Sequence, residues 1–319
     1  MKVLTNKRQV FVKILKEICR ELDYNIQFLS QNWIAKISKN NITNYIISYN
    51  FGINKDASSK ICADKSATSE ILTLHNIPNI THKIFHVHNN YHGDIGNWQK
   101  MIIFFKTHNN KVVIKPNVGS SGSGVIFIDT LYRLESETYK IMSKKSSFCL
   151  SPFFDILEEY QVVMLKNQPK LIFRKRKPTL IGNGKDTILN LINKSYKLTD
   201  LPIQALETLK EKKLGLETIL ANNEVIELNW KHNLGSGAIP EIIEINNANK
   251  NVVEIAKKAI KALEMSFASV DIVETKNDGY KVIEVNSGVM LTNFASHSEE
   301  GYQLAKGIYS SAIKLMIKR

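Results

Sequence analysis

Apolar positions along the chain follow two spacings, and the places where the spacing changes mark the elements. From Met1 to Leu22 apolar residues recur at helical intervals among lysines and arginines, which predicts an amphipathic helix. That segment has no unbroken apolar run and no small-residue cleavage site, so it does not read as an export signal. Short strands are expected at Tyr24 to Leu29, Trp33 to Ile37 and Asn44 to Tyr49, bounded by Asn, Ser and Lys; with the first helix they make a small α/β unit. Ala67, Ile71, Leu72 and Leu74 then fall at helical spacing between Ala63 and Leu74, with Lys65 at the start and Pro78 just beyond the end.

Further on, the β-branched run Val112 to Ile114 predicts a strand, followed by Lys115, Pro116, the small-residue stretch from Gly119 to Gly124, and a second strand from Val125 to Ile128. Strands at Gln161 to Leu165 and Leu171 to Arg174 precede a polar turn at Gly182 to Lys185 and a helix-rich segment from Thr187 to about Leu220. The C-terminal part predicts a helix from Val252 to Leu263, a hairpin from Phe267 to Asn286, and a last helix from Gly301 to Ile317 with Leu304, Ile308, Ala312 and Leu315 on its apolar face. Helices and strands mix without regular βαβ alternation, so the expected fold class is α+β, with sheets covered by helices. No internal repeat stands out, and no run approaches the roughly 18 consecutive apolar residues of a membrane span.

Composition narrows the ligands more than the fold. With 43% apolar and 23% charged residues in 319, the chain is neither disordered nor a disulfide mini-protein. Its formal charge of +13 favours polyanions, either nucleotides or nucleic acid. Cys19, Cys62 and Cys149 form no paired spacing, as expected of a reduced, cytoplasmic setting.

Two places carry chemistry on their residues alone. Strands Phe267 to Thr275 and Tyr280 to Asn286 flank Lys276-Asn277-Asp278-Gly279, a sequence rich in hairpin-turn residues. A turn centred between Asn277 and Asp278 pairs Asp271 with Glu284, one centred between Asp278 and Gly279 pairs Asp271 with Asn286, and both put all three side chains on one face. A turn centred on a single residue puts Asp271 and Glu284 on opposite faces. Facing carboxylates repel unless a cation lies between them, and a hard divalent ion such as magnesium takes oxygen ligands of this kind. The same alternation also suits a solvent-exposed face with Val270, Ile272, Ile283 and Val285 turned inward. The second place is Lys115, which ends a strand before a loop whose glycines and serines let backbone N–H groups wrap a phosphate. The chain has neither a GxxxxGK[ST] loop nor a GxGxxG sequence opening a helix, and a Gly/Ser stretch alone also suits a linker.

Lys65, Lys115 with its loop, Glu158-Glu159-Tyr160 at a strand entry, and Asp271 with Glu284-Val285-Asn286 occur in an order that resembles the ATP-grasp superfamily. The resemblance runs from about Ala63 to Asn286 and is clearest at Ala63-Asp64-Lys65, Val113-Ile114-Lys115-Pro116 and Ile283-Glu284-Val285-Asn286. Gly182-Asn183-Gly184-Lys185-Asp186-Thr187-Ile188 is similar to the Gly-Asp-Gly-x-x-Thr-Ile signature of the cyanophycin synthetase and bifunctional glutathione synthetase branch, with Asn183 where Asp is usual. Asn233-Leu234-Gly235-Ser236-Gly237 resembles that branch's Asn-Leu-x-x-Gly stretch.

The resemblance implies an ATP-grasp fold in which two α+β subdomains clamp the nucleotide. It places a lid subdomain at 61–150 and a C-terminal subdomain with the metal site at 151–319, after the N-terminal α/β unit that the element pattern gives at 1–60. By resemblance, Lys65 and Lys115 hold the phosphates of ATP, and Gly119, Ser120, Ser121, Gly122, Ser123 and Gly124 fold over them. Glu159, with Glu158 as the alternative, accepts from the ribose, and Asp271, Glu284 and Asn286 hold magnesium, with manganese as an alternative ion. The implied reaction is ligation of a small-molecule or peptide carboxylate to an amine through an acyl phosphate, releasing ADP and phosphate. The chain departs from the family pattern at Ser151-Pro152-Phe153-Phe154, where many relatives carry a Glu before the aromatic residue at the adenine. It departs again at Ser269, where several ligases carry an Arg. Arg174, Lys231 and Asn233 are the candidates to replace that charge as catalytic groups beside Lys115. The segment Leu189 to Leu220 suits either an acceptor pocket or an amphipathic surface helix pair.

Rival readings are an ATP-grasp enzyme with a non-amine acceptor, acting as a kinase or forming an ester, and a basic nucleic-acid binder. The latter leaves the carboxylates and the Lys115 loop unexplained. His82, His86, His88 and His92 have spacings that could serve zinc or copper, and a polar loop explains them as well. No membrane association is expected, and a homo-oligomer is one arrangement left open.

Overall fold

The computed structural model describes residues 7–86, 98–119, 122, 124–144, 147–195 and 203–318. The elements, in chain order, begin with α1 (Lys7–Glu21), β1 (Asn25–Leu29), β2 (Ile34–Lys39), β3 (Ile42–Ile47), α2 (Asp56–Ala63), α3 (Lys65–Leu74) and β4 (Lys83–His86). Next come α4 (Trp98–Thr107), β5 (Val112–Pro116), β6 (Ile126–Ile128), α5 (Leu131–Ser143), β7 (Phe148–Pro152), β8 (Ile156–Leu165), β9 (Gln168–Arg176), β10 (Thr179–Ile181), α6 (Ile188–Ser195) and α7 (Ile203–Glu211). The chain closes with β11 (Val225–Glu227), β12 (Ile239–Ile243), α8 (Lys250–Ala262), β13 (Phe267–Thr275), β14 (Gly279–Asn286), α9 (Thr292–Ala295) and α10 (Glu299–Ile317). The helix expected from Ala63 to Leu74 starts at Lys65 because Asp64 is extended and its side chain accepts a hydrogen bond from the Ala67 amide, capping α3.

The chain divides into two compact units, residues 1–173 with 242–319, and residues 174–241. In the first, β1, β2 and β3 form an antiparallel meander, and β4, β7, β5 and β6 form a four-stranded sheet in that order. A five-stranded sheet runs β12-β9-β8-β13-β14, with β13 antiparallel to both neighbours. Period-two alternation gives this sheet an apolar face, on which Tyr160, Val162, Met164, Val270, Ile272, Val282 and Val285 pack with Val252, Ala256 and Ile260 of α8. A second core, including Phe85, Met101, Phe105, Ile114, Phe148 and Leu150, lies between the four-stranded sheet and α4 and α5. Phe11 of α1 meets Tyr309 of α10 edge-on, and Tyr309 stacks with Phe51 at 5.4 Å, so the two ends of the chain share one aromatic cluster.

The second unit pairs β10 antiparallel with β11. Ile188, Leu191 and Ile192 of α6 and Ala205 and Leu209 of α7 pack with Leu180, Leu220 and Ile226. Among the described residues no helix is long and apolar enough to cross a membrane.

Candidate functional site

The β13–β14 hairpin starts in one register and ends in another. Thr275 lies opposite Gly279, Glu274 opposite Tyr280 and Ile272 opposite Val282, so the turn is centred on the single residue Asn277. The Thr275 hydroxyl accepts from the Asp278 amide and donates to the Gly279 carbonyl, and Gly279 takes a φ of +68° that favours glycine. A bulge then shifts the register between Ile272 and Asp271, leaving Ile283 as the extra residue. Beyond it Asp271 faces Glu284, and Ser269 faces Asn286. Asp271, Glu284 and Asn286 therefore share a face, opposite the apolar face that carries Val270 and Val285.

On the other side of β13, Glu159 lies opposite Val273 and Gln161 opposite Asp271, which puts Glu159 on the carboxylate face. Glu158 lies opposite Glu274 on the other face. Asp271 is only 9% exposed, so its face is not the open solvent surface that the alternation alone also allows. Two carboxylates and an amide oxygen held side by side form an all-oxygen donor set that fits magnesium or manganese and leaves the facing negative charges in need of a cation.

Two lysines supply positive charge beside this face. The Lys65 ammonium lies 3.6 Å from Glu284 Oε1 and donates to the Gly119 carbonyl at 2.8 Å. Lys115 lies opposite Cys149 on β7, buried, and its ammonium is 2.8 Å from His82 Nε2. Burial pulls the Lys115 pKa below the ordinary lysine range, with Glu284 and Glu159 opposing that pull and Lys65 adding to it. Burial likewise raises the neighbouring Cys149 thiol to about 11. The position of Lys65 follows from a clamp. Asn117, 1% exposed, donates from Nδ2 to Asp64 and accepts from the Ser66 amide, while its carbonyl accepts from the Lys65 amide. Of the expected phosphate loop, Gly119, Gly122 and Gly124 are described, whereas Ser120, Ser121 and Ser123 lie outside the described residues. Gly124 has a φ of +70°, and a Cβ there would come within 2.9 Å of the Pro116 ring.

The second unit carries the other three candidates. Arg174 and Arg176 both bind the Glu241 carboxylate. Asn233 accepts from the Gly235 amide at 2.6 Å and caps a short 3-10 turn, Leu234–Ser236. The Lys231 ammonium lies 5.5 Å from the Trp230 ring centre, and burial lowers its pKa, partly offset by Glu207.

The Gly182 to Ile188 signature has a structural explanation. A Cβ at Gly182 would lie 2.1 Å from the Ala221 carbonyl oxygen, and Gly184 has a φ of +68°. Asn183 Oδ1 accepts from the Lys185 and Asp186 amides, Asn183 Nδ2 donates to Asp186 at 2.6 Å, and the Thr187 hydroxyl accepts from the Asn190 amide at the start of α6. An amide at 183 rather than a carboxylate is what lets Asp186 sit this close.

The architecture matches solved structures over most of the chain. It superposes on a bifunctional glutathione synthetase from Pasteurella multocida with a TM-score of 0.60, at 14% identity, covering 96% of this chain and 44% of that one. It also superposes on a D-alanine–D-alanine ligase from Bacillus anthracis with a TM-score of 0.53, at 18% identity, covering 83% and 69% of the two chains. Residues 193–311 match the RimK-like ATP-grasp domain. The chain has the ATP-grasp fold. In sequence it is 26% identical over 298 residues to the glutathione biosynthesis bifunctional protein GshAB of Clostridium perfringens, which spans 86% of this chain and 37% of that protein. The chain thus covers less than half the length of these bifunctional relatives.

Within this ATP-grasp fold the sequence does not reveal three roles near the lysines: Asp64 as a helix cap, Asn117 as a clamp and His82 as the partner of Lys115. An Asp directly before a helix is a cap signal, but nothing local marks Asn117. His82 is no metal ligand in this structure, because its ring is buried between Lys115 and the Ile80 backbone. His86 lies in β4, and His88 and His92 lie outside the described residues; among the described residues no three His, Cys, Asp or Glu side chains gather as a metal cluster.

Proposed function

We propose that this chain is an ATP- and magnesium-dependent carboxylate–amine ligase that forms an amide or peptide bond and releases ADP and phosphate. The observation that carries the reading is the grouping of Lys65 and Lys115 with Glu159, Asp271 and Glu284 beside one face of the β8–β13–β14 sheet. A polyphosphate needs the lysines, a ribose suits Glu159, and a divalent ion suits the carboxylates with Asn286. When bound, magnesium or manganese would neutralise charge on the phosphates.

In this reading Lys65 and Lys115 hold the phosphates as point charges, and the backbone of residues 119–124 closes over them. A substrate carboxylate oxygen attacks the γ-phosphorus, giving an acyl phosphate and ADP; an amine nitrogen then attacks the acyl carbon, and phosphate leaves. The protein contributes positioning and charge neutralisation. Arg174, Lys231 and Asn233 are the candidates for charge beside the transferring phosphoryl group. The relatives are named for glutathione and D-alanyl-D-alanine, which points to amino acids and short peptides as substrates. Three free, buried cysteines suit a reduced cytoplasmic setting.

The test is ADP and phosphate release from Mg·ATP with pooled amino acids and short peptides, for wild type and Lys115→Ala. Release that needs both a carboxylate and an amine, and that disappears in the variant, is expected. Release without any amine would point to another acceptor, and AMP with pyrophosphate would overturn the acyl-phosphate route.

A further inference from the structure

An ammonium taken out of water must find acceptors, and a carboxylate usually provides them. At Lys115 Nζ the hydrogen-bonding group is instead an imidazole, His82 Nε2 at 2.8 Å, with both side chains buried. An ammonium can only donate, so Nε2 must present its lone pair and the ring proton must sit on Nδ1. The Ile80 backbone beside the ring favours a ring proton. A neutral histidine protonated on Nδ1 meets both neighbours.

The backbone on either side is fastened to the elements that carry the other charges. The His82 amide donates to the Ser69 hydroxyl at 3.0 Å, on the helix that begins with Lys65. The Ile80 amide donates to the Val282 carbonyl at 2.9 Å, two residues before Glu284 on β14. The imidazole therefore links Lys115 to the supports of Lys65 and Glu284. A neutral acceptor differs from a carboxylate in one respect that matters for phosphate binding: it takes one ammonium proton and fixes its direction without cancelling the charge. Two N–H bonds and the full positive charge remain for an anion.

We propose that His82 is a positioning residue that orients the Lys115 ammonium toward the phosphates of the nucleotide. The inference rests on the preceding reading that Lys115 meets those phosphates.

The experiment is calorimetric titration of the full chain with Mg·ATP, which separates affinity from the fraction of competent protein. His82→Leu, which keeps the bulk and removes the acceptor, is expected to weaken Mg·ATP binding roughly tenfold or more at unchanged stoichiometry. His82→Gln, whose amide oxygen can take the place of Nε2, is expected to restore most of the affinity. A purely structural role would lower stoichiometry and leave affinity intact, and that outcome overturns the proposal. Nitrogen-15 spectra of wild-type histidine supply a readout that needs no variant to fold: a bare Nε2 with a protonated Nδ1 at neutral pH is expected, and a protonated Nε2 overturns it. Failure of the ligase reading looks different, since wild type itself would then bind no Mg·ATP; that result removes the phosphate role, whatever the tautomer.

Discussion

Asp271 and Glu284 face each other across β13 and β14 because the stretch between them and the turn holds one extra residue, Ile283. In the register that the turn sets, with Thr275 opposite Gly279, Asp271 would lie opposite Ile283, and Glu284 would lie opposite Val270 on the apolar face. The bulge restores the pairing one step before the site, at the cost of an unpaired backbone residue. A like-charged pair opposed in this way destabilises the hairpin unless an ion lies between the carboxylates.

Glu284→Gln is therefore expected to separate activity from stability. Turnover falls at least about a hundredfold, because a charged oxygen donor of the proposed metal site is lost. Melting of the protein in a chelator shifts little, because relief of the repulsion with Asp271 offsets loss of the Lys65 ammonium 3.6 Å from Glu284 Oε1. Normal ADP release in this variant would sink the metal assignment.

Asn117→Ala removes two hydrogen-bonding atoms, Oδ1 and Nδ2, from a site that is 1% exposed and leaves Asp64 Oδ2 and the Ser66 amide without that partner. A loss of about 2 kcal/mol or more is expected from urea unfolding. Mg·ATP affinity should fall with it, since Lys65 begins the helix that this clamp holds.

Asn183→Asp restores the residue usual in the resembling signature, and here it is expected to lower the melting temperature. Asn183 Nδ2 donates to Asp186 at 2.6 Å, and Lys194 holds the same carboxylate, whose pKa lies below its ordinary value because of these two bonds. A second carboxylate at 183 would replace the donor with a repulsive charge. Adding Asp186→Asn should recover the loss, and a double variant no more stable than Asn183→Asp would refute this account.

Acid stability is expected to depend on His82. Burial, then the Lys115 and Lys65 charges, hold its pKa well below 6.5 in the folded chain. The unfolded chain takes up a proton near pH 6.5 that the folded chain refuses. Stability present above that pH is therefore lost as the pH falls toward the folded value, by at most about 1.4 kcal/mol per pH unit. Urea midpoints measured between pH 7 and 5 should fall less steeply in His82→Gln.

The thiols govern the alkaline side. Burial raises Cys19 and Cys149 to about 11 and Cys62 to about 12, from an ordinary value of 9.0. Folded values above unfolded ones mean that the stabilisation is complete below about pH 9 and is lost as the pH rises toward 11 to 12. At pH 8 a thiol reagent should leave all three unmodified in the folded chain and label all three in denaturant.

What the sequence determined by itself was local or ordered along the chain. Period-two alternation placed β8 and β13, helical periodicity placed α8 and α10, and the order of Lys65, Lys115, Asp271, Glu284 and Asn286 pointed to the fold. Local turn chemistry allowed several registers for the hairpin, and the energies separating them depend on packing of Val282 and Val285 under α8, which no window of sequence contains. That Glu159 rather than Glu158 shares a face with Asp271 came from pairing with Val273 rather than Glu274, a relation more than a hundred residues long. Tertiary structure alone brought Asn117 to Asp64 and His82 to Lys115, because a buried charge is satisfied by whatever acceptor the fold delivers to it, and that delivery is decided by how the sheets and helices pack.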